Sequence, residues 1–565
     1  MTNPPPVIPE LQVWRRVRQY AVPAAMIEAC TAARSAGDWR AGCAAGRIDV
    51  ELDLAEVARE HGRTAADRIE ADLTALAPDL LRWHLPRALG GRTSLATHQP
   101  WLLSTLEERI EDTEPVLVLR SPKTVDGSQR LLLTVRQAGE RDGEWCDLPP
   151  VYWSADHVAG LAAAYGGSPA RMPGFEPDGT VRPFARYATD PDPADPASRT
   201  ETFERRIVAG DVVAAWAAFG VALDPTEPEN LYRWENGIES VASGVLTPVG
   251  LAAEVARLHR RYGIDQALVG TWWRFAVAVR RRDDGSLGAR FISTDEELRR
   301  LPRVASVVHR RPVDLDLVRH GLLQPAEVHP LVRQAFFPAA PGTAAVPDRV
   351  DLRRVASVRC RGEWHTVRHG DGRLDRVAHP PDEIAREQAL RAFGGPVTGC
   401  FATLEAWRTG TGRLPRPLRE LRREVLQRLQ HGGSAALATL LDAGLDPAFR
   451  DGRGGTLLHH VRSVRDVGVV RRLLDAGVPL DAVDKRGRTA LHVTVGDGGT
   501  LEMIQALLEA GADPRATDAE GTTVVEFAEY KAQIYAYDEE DEDEVPEEYH
   551  VLFRIRDLLR DWKDR

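Results

Sequence analysis

Thiol and imidazole are the side-chain types here whose placement could do chemistry, and one stretch gathers them. Cys360, His365 and His369 fall in a single segment of strand composition, and they are the donors of a nucleophile–base pair or of a zinc site. Cys360 and His365 are five apart, so on a straight strand they face opposite ways unless Gly362 reverses the chain. His365 and His369, four apart, share a face. A buried thiol beside two surface histidines is the expectation, with no metal and no cofactor. Phosphate-loop, His-Glu-x-x-His and Gly-x-Ser-x-Gly motifs are absent from the sequence. Gly410-Thr411-Gly412 opens like a dinucleotide loop but meets Pro415 and follows a helical rather than a strand pattern.

The elements that would carry these three residues are a strand pair, Val355 to Arg361 and Trp364 to His369, ahead of a helix near Asp382. Two further strand pairs precede it. Val116 to Leu119 and Arg130 to Val135 turn at Asp126-Gly127, and Trp273 to Arg281 and Leu287 to Ile292 turn at 283–286. Helices are expected after them near Asp156 and Thr294. Residues 1–113 read as helical: Pro23 opens a helix over Ala24 to Ala33, Asp38 caps a second, Thr64 caps a third, and Pro100 and Pro115 bracket one more. The proline run at 190–196 removes donors and restrains its neighbours, which predicts a linker over 190–198. A second linker is expected over 338–347. The domain reading is therefore a helical region 1–113, α+β units at 114–189, 199–337 and 348–425, and a repeat region over 426–565.

Composition bounds the class. With 565 residues, 43% hydrophobic and 28% charged, the chain is expected to be a globular protein of several domains. The longest charge-free apolar run, Val212 to Leu223, is too short for a membrane helix, and no secretory leader is visible at Met1 to Pro6. Five cysteines, Cys30, Cys43, Cys146, Cys360 and Cys400, never form a Cys-x-x-Cys pair. These features predict a cytoplasmic protein with reduced thiols. Four lysines against abundant arginine fit GC-rich bacterial coding. Residues 431–565 hold 27 acidic and 16 basic groups, so their net charge equals the −11 of the whole chain. No segment is basic enough to favour nucleic acid.

Internal repetition is the strongest pattern. Leu440-Leu441, Leu473-Leu474 and Leu507-Leu508 recur at steps of 33 and 34, each followed by Ala-Gly at 443–444, 476–477 and 510–511. Asp451, Asp484 and Asp518 come next, and the thread resumes at Thr456, Thr489 and Thr522. Thr489-Ala490-Leu491-His492 with Leu507-Leu508-Glu509-Ala510-Gly511-Ala512-Asp513, and Thr456-Leu457-Leu458-His459 with Leu473-Leu474-Asp475-Ala476-Gly477, resemble the ankyrin-repeat family. The resemblance covers about 426–565, with full repeats at 452–484 and 485–518 and partial, capping units on either side. It implies an α-helical solenoid after an α+β N-terminal region, and a protein–protein interaction adaptor or scaffold. It also implies structural roles for Thr456, His459, Leu473, Leu474, Gly477, Thr489, His492, Leu507, Leu508 and Gly511, the two histidines bracing adjacent loops.

The exposed turns carry Arg450, Arg453, Lys485, Arg486 and Arg488 as candidate partner-binding residues. His460, beside the motif, is expected to face solvent. The last unit has Val525 where the motif histidine belongs, and its two helices flank an acidic run, 538–544, that could meet a basic partner. The alternative is an enzyme with an active site in residues 1–430 and the repeats as a recruiting module. A deep polar pocket in that region would favour it.

Overall fold

The computed structural model describes residues 10–140, 145–226, 242, 244, 246–272, 275–293, 301–342, 350–360, 362–370, 373–374, 379–395, 397–536 and 550–563. They form two compact units: one takes in 1–122 and 130–348, the other 123–129 and 349–565. Among the described residues, no helix is long and apolar enough to cross a membrane.

The first unit holds two sheets in one hydrophobic core that runs from Leu11 to Phe337. Its five-stranded sheet has the order β1-β4-β3-β2-β5. The strands are β1 Ile48–Glu51, β2 Pro100–Leu103, β3 Pro115–Arg120, β4 Leu131–Gln137 and β5 Cys146–Asp147. β1 lies parallel to β4 and β2 parallel to β5, with antiparallel pairs between. The second sheet has the order β6-β9-β8-β7, built from β6 Val221–Leu223, β7 Gln266–Trp272, β8 Phe275–Arg281 and β9 Leu287–Ser293.

Several expectations fail here for physical reasons. Residues 1–113 are not all helical, because β1 and β2 lie among them. Pro100 and Pro115 each begin a strand instead of bracketing a helix, which is where a strand tolerates a residue without an N–H. The helix Arg63–Ala75 starts after Gly62, so Thr64 sits inside it and does not cap it. The helices at Ala24–Ser35 and Trp39–Ala45 lie where expected, the latter with Asp38 accepting Ala41 N–H at 2.9 Å. Near Asp156 the chain forms only a short turn and the helix Leu161–Ala164, and the position near Thr294 falls outside the described residues.

The proline run is an ordered turn. Asp195 pairs with Arg171, and Ser198 Oγ accepts Asp192 N–H at 2.7 Å. The helix Pro196–Val208 follows at once. Buried pairs join segments expected to be separate: Arg18 and Asp314 (2.7 Å), His329 and Asp79 (2.9 Å), Arg261 and Asp147 (3.0 Å). Residues 343–347 of the second expected linker are outside the described residues, and the division between units falls just after them.

The second unit has a single core from Leu352 to Leu559, so the α+β part expected at 348–425 and the repeats share one interior. β10 Arg354–Cys360 and β11 Glu363–Gly370 form a hairpin whose reversal uses Gly362 at φ +94°, and β12 Arg373–Leu374 pairs on β11. The helices Pro381–Ala392 and Gly399–Thr409 follow, then Arg416–Asp442, which breaks at Gly433 (φ 52°, ψ −142°). The half beyond this break ends in Leu440 and Leu441, the leucine pair of the first repeat. The next repeats follow as Leu457–Ser463 with Gly468–Asp475, then Ala490–Gly496 with Leu501–Glu509. The helices Val524–Ala536 and His550–Lys563 pack on each other at the end. Of each leucine pair the first is fully buried (Leu440, Leu473 and Leu507 at 0%), and Leu441 and Leu474 are only partly so. The acidic run 538–544 lies outside the described residues.

Candidate recognition turns and a four-donor cluster

Each repeat turn is closed by its own aspartate. Asp451 Oδ1 accepts the N–H groups of Arg453 (2.7 Å) and Gly455 (2.8 Å), and Asp484 Oδ1 those of Arg486 (2.8 Å) and Arg488 (3.0 Å). Asp518 Oδ1 takes those of Glu520 (3.0 Å) and Thr522 (2.9 Å). A short carboxylate that reaches the amides two and four residues on stabilises this turn. Backbone bonds join one turn to the next: Lys485 N–H donates to Arg453 O (2.9 Å) and Ala519 N–H to Arg486 O (2.8 Å).

The motif histidines tie each helix start to the following turn. His459 Nδ1 accepts Thr456 N–H at 3.0 Å, which puts the ring proton on Nε2, and Nε2 donates to Arg488 O at 3.0 Å. His492 repeats this with Thr489 N–H (3.2 Å) and Thr522 O (3.4 Å). Burial pushes His459 down to about 4 and lowers His492 as well, so both rings are neutral near pH 7, as this bonding needs. In the last unit the register falls one residue later than the sequence suggested. Thr523, not Thr522, caps the helix, and Glu526 Oε2 accepts Thr523 N–H at 2.8 Å, doing what the histidine Nδ1 does before it. His460 does not face solvent. It is half-buried with Nε2 3.1 Å from Asp451 Oδ2, and burial lowers its pKa, so near pH 7 the neutral ring donates to the carboxylate. Burial alone would raise Asp451, but His460 and the Gly455 and Arg453 N–H groups hold it well below the usual carboxylate range.

The five candidate cations divide. Arg450 Nη1 donates to Gly454 O (2.6 Å), Lys485 Nζ to Gly452 O (2.7 Å) and Gly410 O (3.1 Å), and Arg488 is held on Asp484 Oδ2 (2.8 Å). These three brace the turns. Arg453 and Arg486 are exposed, and their guanidinium groups meet no hydrogen-bond or ion-pair partner among the described residues. On the far side of the same repeats, Thr124 Oγ1 donates to Asp497 O (2.9 Å), Gln430 Nε2 to Val125 O (3.0 Å) and Arg462 Nε to Asp126 O (3.0 Å). That end of the helices is therefore engaged with residues 123–129.

The thiol and imidazole groups assemble differently from the sequence expectation. His365 stands opposite Val358 across the hairpin, so it shares a face with Cys360. His369 is at the other end, buried, with Nδ1 donating to Leu352 O at 2.7 Å and its ring against Trp407. In its place come His379 and Cys400, which the sequence reading left out: the donor atoms of Cys360, His365, His379 and Cys400 all lie within 4.8 Å of one another. His379 sits just before the helix Pro381–Ala392 and Cys400 in the first turn of the next one.

Paired helices on a step of 33 or 34 residues, with turns joined edge to edge, define a repeat region of the ankyrin class. The family model for ankyrin repeats (3 copies) matches residues 428–518. Among curated proteins the chain is 38% identical over 112 residues to diacylglycerol kinase zeta of Rattus norvegicus, covering 20% of this chain and 12% of that one. It is 32% identical over 103 residues to palmitoyltransferase Hip14 of Drosophila melanogaster, covering 18% and 16%. The same identity over 103 residues relates it to E3 ubiquitin-protein ligase KEG of Arabidopsis thaliana, covering 18% and 6%. The chain thus spans under a fifth of the length of each of these relatives.

Proposed function

We propose that this chain is an adaptor or scaffold that recognises another protein through the exposed turns of an ankyrin solenoid. The observation that carries this reading is the row of side chains two residues after each turn aspartate. Arg453, Arg486 and Glu520 are all exposed, and backbone bonds between the turns hold them in a fixed order. The backbone of such a row is already ordered, so docking costs side-chain but little backbone entropy, and a partner presenting two acidic groups followed by a basic one complements it. The relatives support a recognition role in a second way: their printed activities differ, while each shares with this chain only a stretch of about three repeat lengths. For the alternative, an enzyme within residues 1–430, the first unit offers a cavity of about 20 Å³ beside Tyr165, Glu204, Arg311 and Arg319, room for about one water molecule. It also offers an open polar cleft of about 260 Å³ lined by Glu51, Asp53, Glu56, Glu60, His61 and Glu140.

Truncation is a poor test, because a cut near Leu414 opens the shared core. The test is charge reversal in the full chain, Arg453→Glu with Arg486→Glu. Recovery of specific partners by the unaltered chain and their loss from an equally stable double variant is expected. Recovery of the same partners by both chains refutes the proposal.

A further inference from the structure

We infer that Cys360, His365, His379 and Cys400 form a structural zinc site that closes the β10–β11 hairpin onto the two helices after it. The donor set is two thiols and two imidazoles, the soft and borderline ligands that tetrahedral zinc takes in closed sites. Zinc bonds of about 2.3 Å to sulfur and 2.0–2.1 Å to nitrogen require ligand separations of about 3.3 Å between nitrogens and 3.6 Å between nitrogen and sulfur. His365 Nδ1 lies 3.2 Å from His379 Nε2, and Cys360 Sγ lies 4.0 Å from the same nitrogen. Separations among the four donor atoms extend to 4.8 Å, so side-chain shifts of up to about 1 Å complete the tetrahedron.

The surroundings present the right atoms. His379 Nδ1 is 2.7 Å from Glu383 Oε2, and a carboxylate only accepts, so the ring proton is on Nδ1 and the Nε2 lone pair faces the cluster. A carboxylate behind a ligating imidazole is the arrangement that orients histidine on zinc. Glu363 Oε2 stands 3.9 Å from His365 Nε2, on the outward side of the second ring. Gly399, at φ +60°, clears the approach of the two sulfurs, since a methyl group there would stand 2.6 Å from Cys360 Sγ. Phe401 covers the His379 ring at 4.9 Å.

The site also answers a packing question. Glu387 is the one buried residue of the helix Pro381–Ala392, Phe393 beyond it is 89% exposed, and Trp364 on the hairpin is 70% exposed. So small an apolar contact gives this helix little to hold it, and a metal cross-link at His379 supplies the anchor. All four positions are protein donors, so the metal has no open position for substrate and its role is structural.

The test uses the full chain, purified under reducing conditions without chelator. About one zinc per chain is expected by elemental analysis, released by a thiol-blocking mercurial. Replacement by Co²⁺ should give the visible absorption of a tetrahedral sulfur–nitrogen site. Cys400→Ser and His379→Ala should each lower zinc about tenfold or more, while Cys146→Ser leaves it unchanged. Should the ligand variants fail to fold, the unmutated chain decides. A reduced chain that carries no zinc and shows no tetrahedral cobalt spectrum overturns the proposal. So does a folded ligand variant that keeps its zinc, or a Cys360–Cys400 disulfide in the protein as purified.

Discussion

Replacing Leu473 by alanine probes the repeat interior most directly. Its side chain is fully buried in the helix Gly468–Asp475, and the change removes three carbons. At about 0.8 kcal/mol per buried carbon the transfer loss is roughly 2.4 kcal/mol. The cavity that remains adds to this and brings the expected cost to about 3–4 kcal/mol, within the usual range for buried leucine. Leu474→Ala, one position along and only partly buried, should cost about 1 kcal/mol. Two units do not unfold as one two-state system. The assay is therefore hydrogen exchange of the full chain in rising urea, with peptides from 465–478 reporting on the second unit and peptides from 10–122 and 130–342, the first unit, as the internal reference. Equal costs for the two leucines would refute the packing argument, as would a loss of protection in the reference peptides.

The pH dependence has a defined sign. An unfolded His459 takes up its proton near pH 6.5 while the buried ring waits until about 4, so its contribution to stability is full above pH 6.5 and is lost as pH falls toward 4. The loss is up to about 3 kcal/mol, and urea midpoints for the second unit should fall over that window and fall less in His459→Gln. Gly487→Ala should destabilise by about 1–3 kcal/mol, because its φ is +72° and the added methyl would stand 2.6 Å from Ala519 N, at the bond joining two turns. Gly477→Ala, with φ +87° and nothing within 4 Å, should cost only about 1 kcal/mol, measured in the same unfolding series.

The repeats were legible because they write one arrangement three times, and a period survives the loss of individual marks. One slip, Thr522 for Thr523, arose where the histidine was replaced: Glu526 does the same bonding with a different side chain, and a motif read by residue type does not see it. Proline misled twice in opposite ways. Pro100 and Pro115 looked like helix brackets and start strands, and the run at 190–196 looked like a linker and is a turn held by Arg171. β1 pairs with β4 across some eighty residues of sequence, and no local pattern announces a parallel neighbour that distant. The four-donor cluster was half seen. Cys360 and His365 are close in sequence, but His379 and Cys400 arrive from two separate helix starts, at spacings no short zinc motif uses.

The central claim is that the exposed turns are the recognition surface, and hydrogen exchange of the full chain with and without a captured partner tests it most directly. The account predicts added protection at 451–455, 484–488 and 518–522, absent with the Arg453→Glu, Arg486→Glu chain. Protection confined to residues 10–122 and 130–342, with the turns unchanged, would contradict it.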